Sequence, residues 1–145
     1  MQILGNYADF LADVIKDVDR ATTMYKKALA ADSQHVVNLH NYAAFLLKAR
    51  HDHSAAEKLL KKALSVKRNN PSDADCLSLY GLLIQNYKDE SRWDEAEGMH
   101  RKACQSSGVR ATHLYRYADF LENVKGDKSK AAMLRKKAAK LRGKN

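Results

Sequence analysis

Apolar residues recur along this chain in a short cycle that keeps restarting. Leu4, Tyr7, Ala8 and Leu11 stand at i, i+3, i+4 and i+7, the spacing that gathers side chains on one face of an α-helix. The stripe returns at Leu39, Tyr42, Ala43 and Leu46, and again at Leu114, Tyr117, Ala118 and Leu121, inside the hexapeptides NYADFL, NYAAFL and RYADFL. A second helical stripe follows each; in the first block it is Ala21, Tyr25 and Ala28. Polar stretches separate the two: KDVDRA, RHDHSAA, DESRWDEA and KGDKSKAA. They predict turns, and Asp17, Asp52 and Asp127 share one column where a carboxylate can cap the next helix.

Four blocks result, with leading leucines Leu4, Leu39, Leu79 and Leu114 separated by 35, 40 and 35 residues. Three residues on stand Tyr7, Tyr42, Leu82 and Tyr117; fourteen further, Ala21, Ala56, Ala96 and Ala131; seven further again, Ala28, Ala63, Ala103 and Ala138. The five extra residues fall in VKRNNPSDAD (66–75), where Asn-Asn-Pro is loop chemistry. Small residues at a helix crossing let two backbones approach closely, so one hairpin is thin enough to stack on the next. A single hairpin of this kind cannot bury its own apolar face, which is why the chain repeats it.

The blocks resemble tetratricopeptide (TPR) repeats, helix-turn-helix units of about 34 residues with W-x2-L-G-x2-Y, then A-x3-F, then P. Here the first part reads LGNYADFL, LHNYAAFL, LYGLLIQN and LYRYADFL, with Leu in the Trp position, Tyr for Leu, Ala for Gly and Leu for the last Tyr. RWDEAEGMHRKA and GDKSKAAMLRKKA match the family's turn and second helix more closely; the usual proline is absent, with Ser33 nearest to it. A 35-residue period implies one added residue per unit, expected in the turn. The resemblance implies an all-α right-handed superhelix of four hairpins. It would form a single domain over 1–145, with repeats at about 2–34, 37–69, 76–109 and 112–142.

In TPR proteins the first helices line a concave face that holds a peptide. By alignment that face would carry Asp9, Asp13, His40, Ala44, Lys48, Tyr80, Ile84, Lys88, Tyr115, Asp119 and Glu122. An ordinary solvated helix surface is the plainer reading of any one of them; for the whole face, binding is favoured. The family's clamp for the carboxylate of Hsp70 or Hsp90 needs Lys and Asn on one first helix, Asn on the next, and Lys and Arg on a third. The matching positions are Gly5, Asp9, Asn41, Leu77 and Gly81, where only Asn41 fits. One repeat later they are His40, Ala44, Gly81, Thr112 and Arg116, where only Arg116 fits. No such clamp is expected, because a carboxylate needs several converging donors.

Charge adds a second candidate surface. Lys and Arg number 26 against 17 Asp and Glu, a formal +9, which attracts acidic peptides or nucleic acid in a salt-sensitive way. Lys26-Lys27, Lys61-Lys62, Arg101-Lys102 and Lys136-Lys137 occupy two columns of every second helix, a basic ladder expected on the convex side. It suits an acidic partner or a phosphate backbone, though a solubilising outer face is the commoner role. RNA binding is the runner-up, since pentatricopeptide repeats share the 35-residue period. A purely structural spacer is the third reading.

Candidate chemistry is sparse. HDHS at 51–54 gathers two imidazoles and a carboxylate, but one short cluster is weak evidence for a metal. His100 takes the place of a buried aromatic, Trp93 starts a second helix, and Cys104 reads as a small core residue. Phe10, Phe45 and Phe120 belong to the repeated code and are expected between adjacent first helices. Nothing pairs a nucleophile with a base, and there is no glycine-rich phosphate loop, so neither an enzyme nor a cofactor is expected. Two unpaired-spaced cysteines, Cys76 and Cys104, no apolar run of membrane-spanning length and no signal-like start lead to an intracellular, cytoplasmic expectation. The last block is polarised by Arg135 and Ala139, whereas Ile3 and Leu4 leave the first without a polar cap. The first hairpin is therefore expected to dock on further repeats or another subunit. The expected function is a non-catalytic scaffold that binds a partner peptide or helix on the first-helix face.

Overall fold

The computed structural model describes residues 2–66, 72–87 and 89–144, and among these the chain forms eight α-helices and no strand. It divides into two compact units, Met1–Arg68 and Asn69–Asn145, each holding two hairpins. The division falls in the predicted loop 66–75, of which 67–71 lie outside the described residues.

In the first unit, α1 (Gln2–Phe10) runs on through a π-helical turn (Leu11–Ile15) and is followed by α2 (Val18–Ala31). The second hairpin repeats this with α3 (Val36–Phe45), a π-helical turn (Leu46–Arg50) and α4 (His53–Ser65). Each π-turn ends on a left-handed residue, Lys16 at φ 61° and His51 at φ 53°. The next amide then donates back into the first helix: Asp17 to the Leu11 carbonyl at 2.9 Å, Asp52 to that of Leu46 at 3.1 Å. Asp17 and Asp52 cap the following helices, accepting from the amides of Arg20 and Ala55, each at 3.0 Å. The added residue of the 35-residue period is thus absorbed at the C-terminal end of the first helix. A left-handed backbone costs a residue with a Cβ roughly 1–2 kcal/mol. Lys16→Gly and His51→Gly should therefore each raise the unfolding free energy by about 1 kcal/mol in denaturant melts.

The alanine columns lie where the hairpins close: Ala8, Ala21, Ala28, Ala43, Ala56 and Ala63 are all fully buried. The aromatic part of the code works between hairpins. The Tyr25 ring of α2 stacks on Tyr42 of α3 at 5.0 Å and tilts against Phe45 at 5.1 Å. Phe45 therefore packs on the second helix of the preceding hairpin, which corrects the expected placement between first helices. At Gly5 a Cβ would collide with the buried Asn38 side chain, so glycine in α1 leaves room for that side chain of α3.

The second unit contains α5 (Asp73–Tyr87), a 3-10 turn (Glu90–Arg92), α6 (Trp93–Gln105), α7 (Ala111–Phe120) and α8 (Lys128–Arg142). A π-turn at Leu121–Lys125 again joins α7 to α8, and here Gly126 takes the left-handed position at φ 70°. Asp127 caps α8 through the Lys130 amide at 3.0 Å. The α5–α6 connection differs: among the described residues α5 carries no π-turn, and Asp89 accepts from the Ser91 amide at 2.9 Å. The buried face of α5 is broader than the aligned stripe, since Leu79 and Leu83 are buried in their columns and Tyr80 and Ile84 are buried beside them. Tyr80, Leu83 and Ile84 are buried, with Tyr80 3% exposed and the other two fully enclosed, while Leu82 is half-buried. Tyr80 and Ile84 are therefore packing residues and not part of an open face, a correction to the aligned set.

Ala96, Ala103, Ala131 and Ala138 are fully buried, as in the first unit. His100 holds the Tyr25 column. It is fully buried between Tyr117 at 6.1 Å and Phe120 at 5.3 Å, with neither ring nitrogen hydrogen-bonded. A Cβ at Gly81 would stand 3.0 Å from three atoms of this imidazole, so glycine makes the room for it. Another histidine ties α5 to α7: the Arg110 amide donates to His113 Nδ1 at 2.9 Å, leaving Nε2 to donate to Asp75 at 2.8 Å. With Arg110 also on Asp75, that carboxyl falls to about 2, the His113 hydrogen bond being the largest cause. Both units repeat one surface ion pair between hairpins, Arg50–Asp19 at 2.7 Å and Lys125–Asp94 at 2.6 Å. Each has a highly exposed carboxylate, so each adds little.

Candidate interaction groove

The first helices α1 and α3 leave a groove of about 500 Å³ between them, with the Tyr25 ring of α2 at its base. Its apolar wall is Ala12, Val18, Ala44, Phe45 and Ala49; its polar groups are Asp9, Asp13, Lys16, Asn41 and Lys48. Asp9 is held in place from two sides. The Tyr25 hydroxyl donates to one carboxylate oxygen and the Asn41 amide donates to the other at 2.8 Å. His40 Nδ1 lies 3.0 Å from Asn41 Oδ1, so a proton on that nitrogen orients the amide toward Asp9. Burial, then the Asp9 hydrogen bond, push the Tyr25 hydroxyl well above its ordinary pKa, so it remains a proton donor across the physiological range. The rim is looser. Lys48 reaches Asp13 at 3.4 Å, but their side chains are 76% and 63% exposed, so the pair can be exchanged for a ligand's charges at little cost.

Of the aligned face, Asp9, Asp13, Ala44 and Lys48 line this groove, and the half-buried His40 braces it. In the second unit, Tyr115 is half-buried on α7, while Asp119 and Glu122 both bind Arg135 of α8, Asp119 at 2.9 Å. Lys88 lies outside the described residues. Tyr25 and Asn41 were absent from the sequence-based set. Their signal was present: a tyrosine in a buried column needs an acceptor for its hydroxyl, and Asp9 stands sixteen residues before it, as Asp119 does before Arg135. The basic pairs Lys26-Lys27, Lys61-Lys62, Arg101-Lys102 and Lys136-Lys137 are all exposed, and Lys61 pairs with Glu57 at 3.2 Å.

Burial pushes the Cys76 thiol up to about 12 and that of Cys104 up to about 11, so neither is a thiolate at neutral pH. In HDHS, Asp52 is the cap of α4 and His51 the left-handed turn residue. Among the described residues no group of three His, Cys, Asp or Glu is placed to hold a metal ion, and no helix is long and apolar enough to cross a membrane.

No protein-family model matches the sequence, and no curated protein does. Solved structures do resemble it. MamA aligns with a TM-score of 0.74 at 18% identity, over 99% of this chain and 78% of that one. YrrB, a TPR protein with an unusual peptide-binding site, aligns with a TM-score of 0.42 at 18% identity, over 95% of this chain and 84% of that one. The four-block period, the buried alanine columns and the likeness to MamA agree: this chain has the all-α, TPR-like helical-repeat fold.

Proposed function

We propose that this chain is a non-catalytic, intracellular protein-interaction scaffold, and that a partner peptide or helix lies along the first-helix face, in the groove between α1 and α3. The observation that supports this most is the contrast within the groove. Its base is fixed by the Tyr25–Asp9–Asn41 bonds, while the Asp13 and Lys48 side chains at its rim stand largely in solvent. A pre-ordered base lowers the entropic cost of binding, and an exposed rim of both charge signs can accept either charge from a partner. Asn41, the one clamp-like residue of the first alignment, already donates to a carboxylate of the protein itself, which argues for a ligand held by its side chains and not by a terminal carboxylate.

Charge reversal tests the reading. With the full chain as bait and captured partners quantified by mass spectrometry, Lys48→Glu should reduce capture roughly three- to tenfold. Lys61→Glu with Lys62→Glu should change it by less than about twofold. The opposite ranking would move the site to the basic ladder. Capture that collapses with added salt and requires RNA would replace the scaffold with a nucleic-acid binder.

A further inference from the structure

Of five large apolar side chains that stand in solvent along α1 and the turn that extends it, four share one side: Ile3 is 80% exposed, Tyr7 40%, Phe10 46% and Val14 64%. Spaced i, i+4, i+7 and i+11, they form one stripe, on a different side of α1 from Asp9 and Asp13. The repeat supplies their counterparts. Tyr7 and Phe10 correspond to Tyr42 and Phe45 in the second hairpin and to Tyr117 and Phe120 in the fourth. There a ring from the second helix of the preceding hairpin covers the pair. Tyr25 lies 5.0 and 5.1 Å from Tyr42 and Phe45; His100 lies 6.1 and 5.3 Å from Tyr117 and Phe120. The uncovered pair is already set in the same way. Tyr7 and Phe10 stack at 6.5 Å and 16°, as Tyr42 and Phe45 do at 6.3 Å and 28°.

We propose that this face of α1 is a docking surface for a partner helix of defined chemistry, the second helix of a further TPR-like hairpin. It would present a small residue, then a ring four positions on, then a small residue three beyond that, as Ala21-Tyr25-Ala28 and Ala96-His100-Ala103 do. The ring enters between Tyr7 and Phe10, and the small residues let the backbone approach α1. A second copy of this chain is a poor occupant. The rings of its α2 and α6 are already seated, Leu60 of α4 is fully buried, and α8 carries Arg135 in the ring position, bound to Asp119 and Glu122.

The test supplies such a helix. Residues 1–35 are duplicated ahead of the full chain, so that the added copy of α2 stands to α1 as α2 stands to α3. Amide hydrogen exchange over residues 2–15 should slow by about tenfold or more. Tyr25→Ala in the added copy alone should abolish most of that protection. Three results would overturn the proposal: unchanged exchange on α1, equal protection with and without the added tyrosine, or protection of α1 in the unmodified chain that grows with concentration. The last would make a second copy the occupant.

Discussion

Tyr25→Ala is expected to lower the unfolding free energy by about 3–5 kcal/mol, the usual cost of emptying a buried ring site. The Tyr25 ring, 2% exposed, is the contact through which α2 holds Tyr42 and Phe45 of the next hairpin. Its loss should therefore also expose Phe45 and open the base of the groove. Tyr25→Phe separates the two roles. It keeps the ring stack but removes the donor to Asp9, for which about 1.5–3 kcal/mol is the range for a hydrogen bond to a charged group. Urea melts should rank the variants alanine below phenylalanine below the unmodified protein. Partner capture by the phenylalanine variant should fall further than its stability explains, because Asp9 is no longer fixed. If alanine costs under about 1 kcal/mol, Tyr25 does not join the two hairpins.

Acid should unfold the chain from an unusual place, the second unit's core. Burial, with a smaller contribution from the nearby Arg116 charge, lowers the His100 imidazole from 6.5 to about 4. The folded state thus binds a proton there less readily than the unfolded state. This contribution to stability is complete above pH 6.5 and is lost progressively as pH falls toward 4. At about 1.4 kcal/mol per pKa unit, the loss across the window is on the order of 3 kcal/mol. Asp75 acts in a lower window. Its carboxyl is depressed from 3.8 to about 2, so what it contributes is retained above pH 3.8 and lost below. His100→Leu, copying Leu60 of the same column, should flatten the stability profile between pH 6.5 and 4 and leave the lower limb intact. An unchanged slope in that window would mean that His100 is hydrated in solution and not enclosed by Gly81, Tyr117 and Phe120.

These two residues also show what the sequence could and could not reveal. The period, the alanine columns and the capping aspartates are local and repeated, so four copies reinforce one another and the hairpins could be read directly. The buried face of α5 could not. Leu77, Leu79, Leu82, Leu83 and Ile84 are apolar nearly all round the helix, so which of its sides are buried left no mark in the hydrophobic pattern. Tyr80 and Ile84 were placed on the open face for that reason. The π-turns were no easier to read, since the sequence marks one only at Gly126, while Lys16 and His51 adopt the same left-handed backbone without being glycine. The groove was half legible. Alignment placed Asp9, Asp13, Ala44 and Lys48 on it, but Tyr25 and Asn41 join it through hydrogen bonds that no column of a repeat alignment encodes.

All of this depends on hairpins that close through their alanine columns. Alanine methyl NMR of the intact chain with a soluble paramagnetic probe measures that directly. The methyls of Ala21, Ala28, Ala56, Ala63, Ala96, Ala103, Ala131 and Ala138, all fully buried, should stay sharp, while the exposed Ala31, Ala49, Ala132 and Ala139 broaden. Column methyls that broaden together with the exposed ones would contradict the packing, and with it the groove and the docking face built upon it.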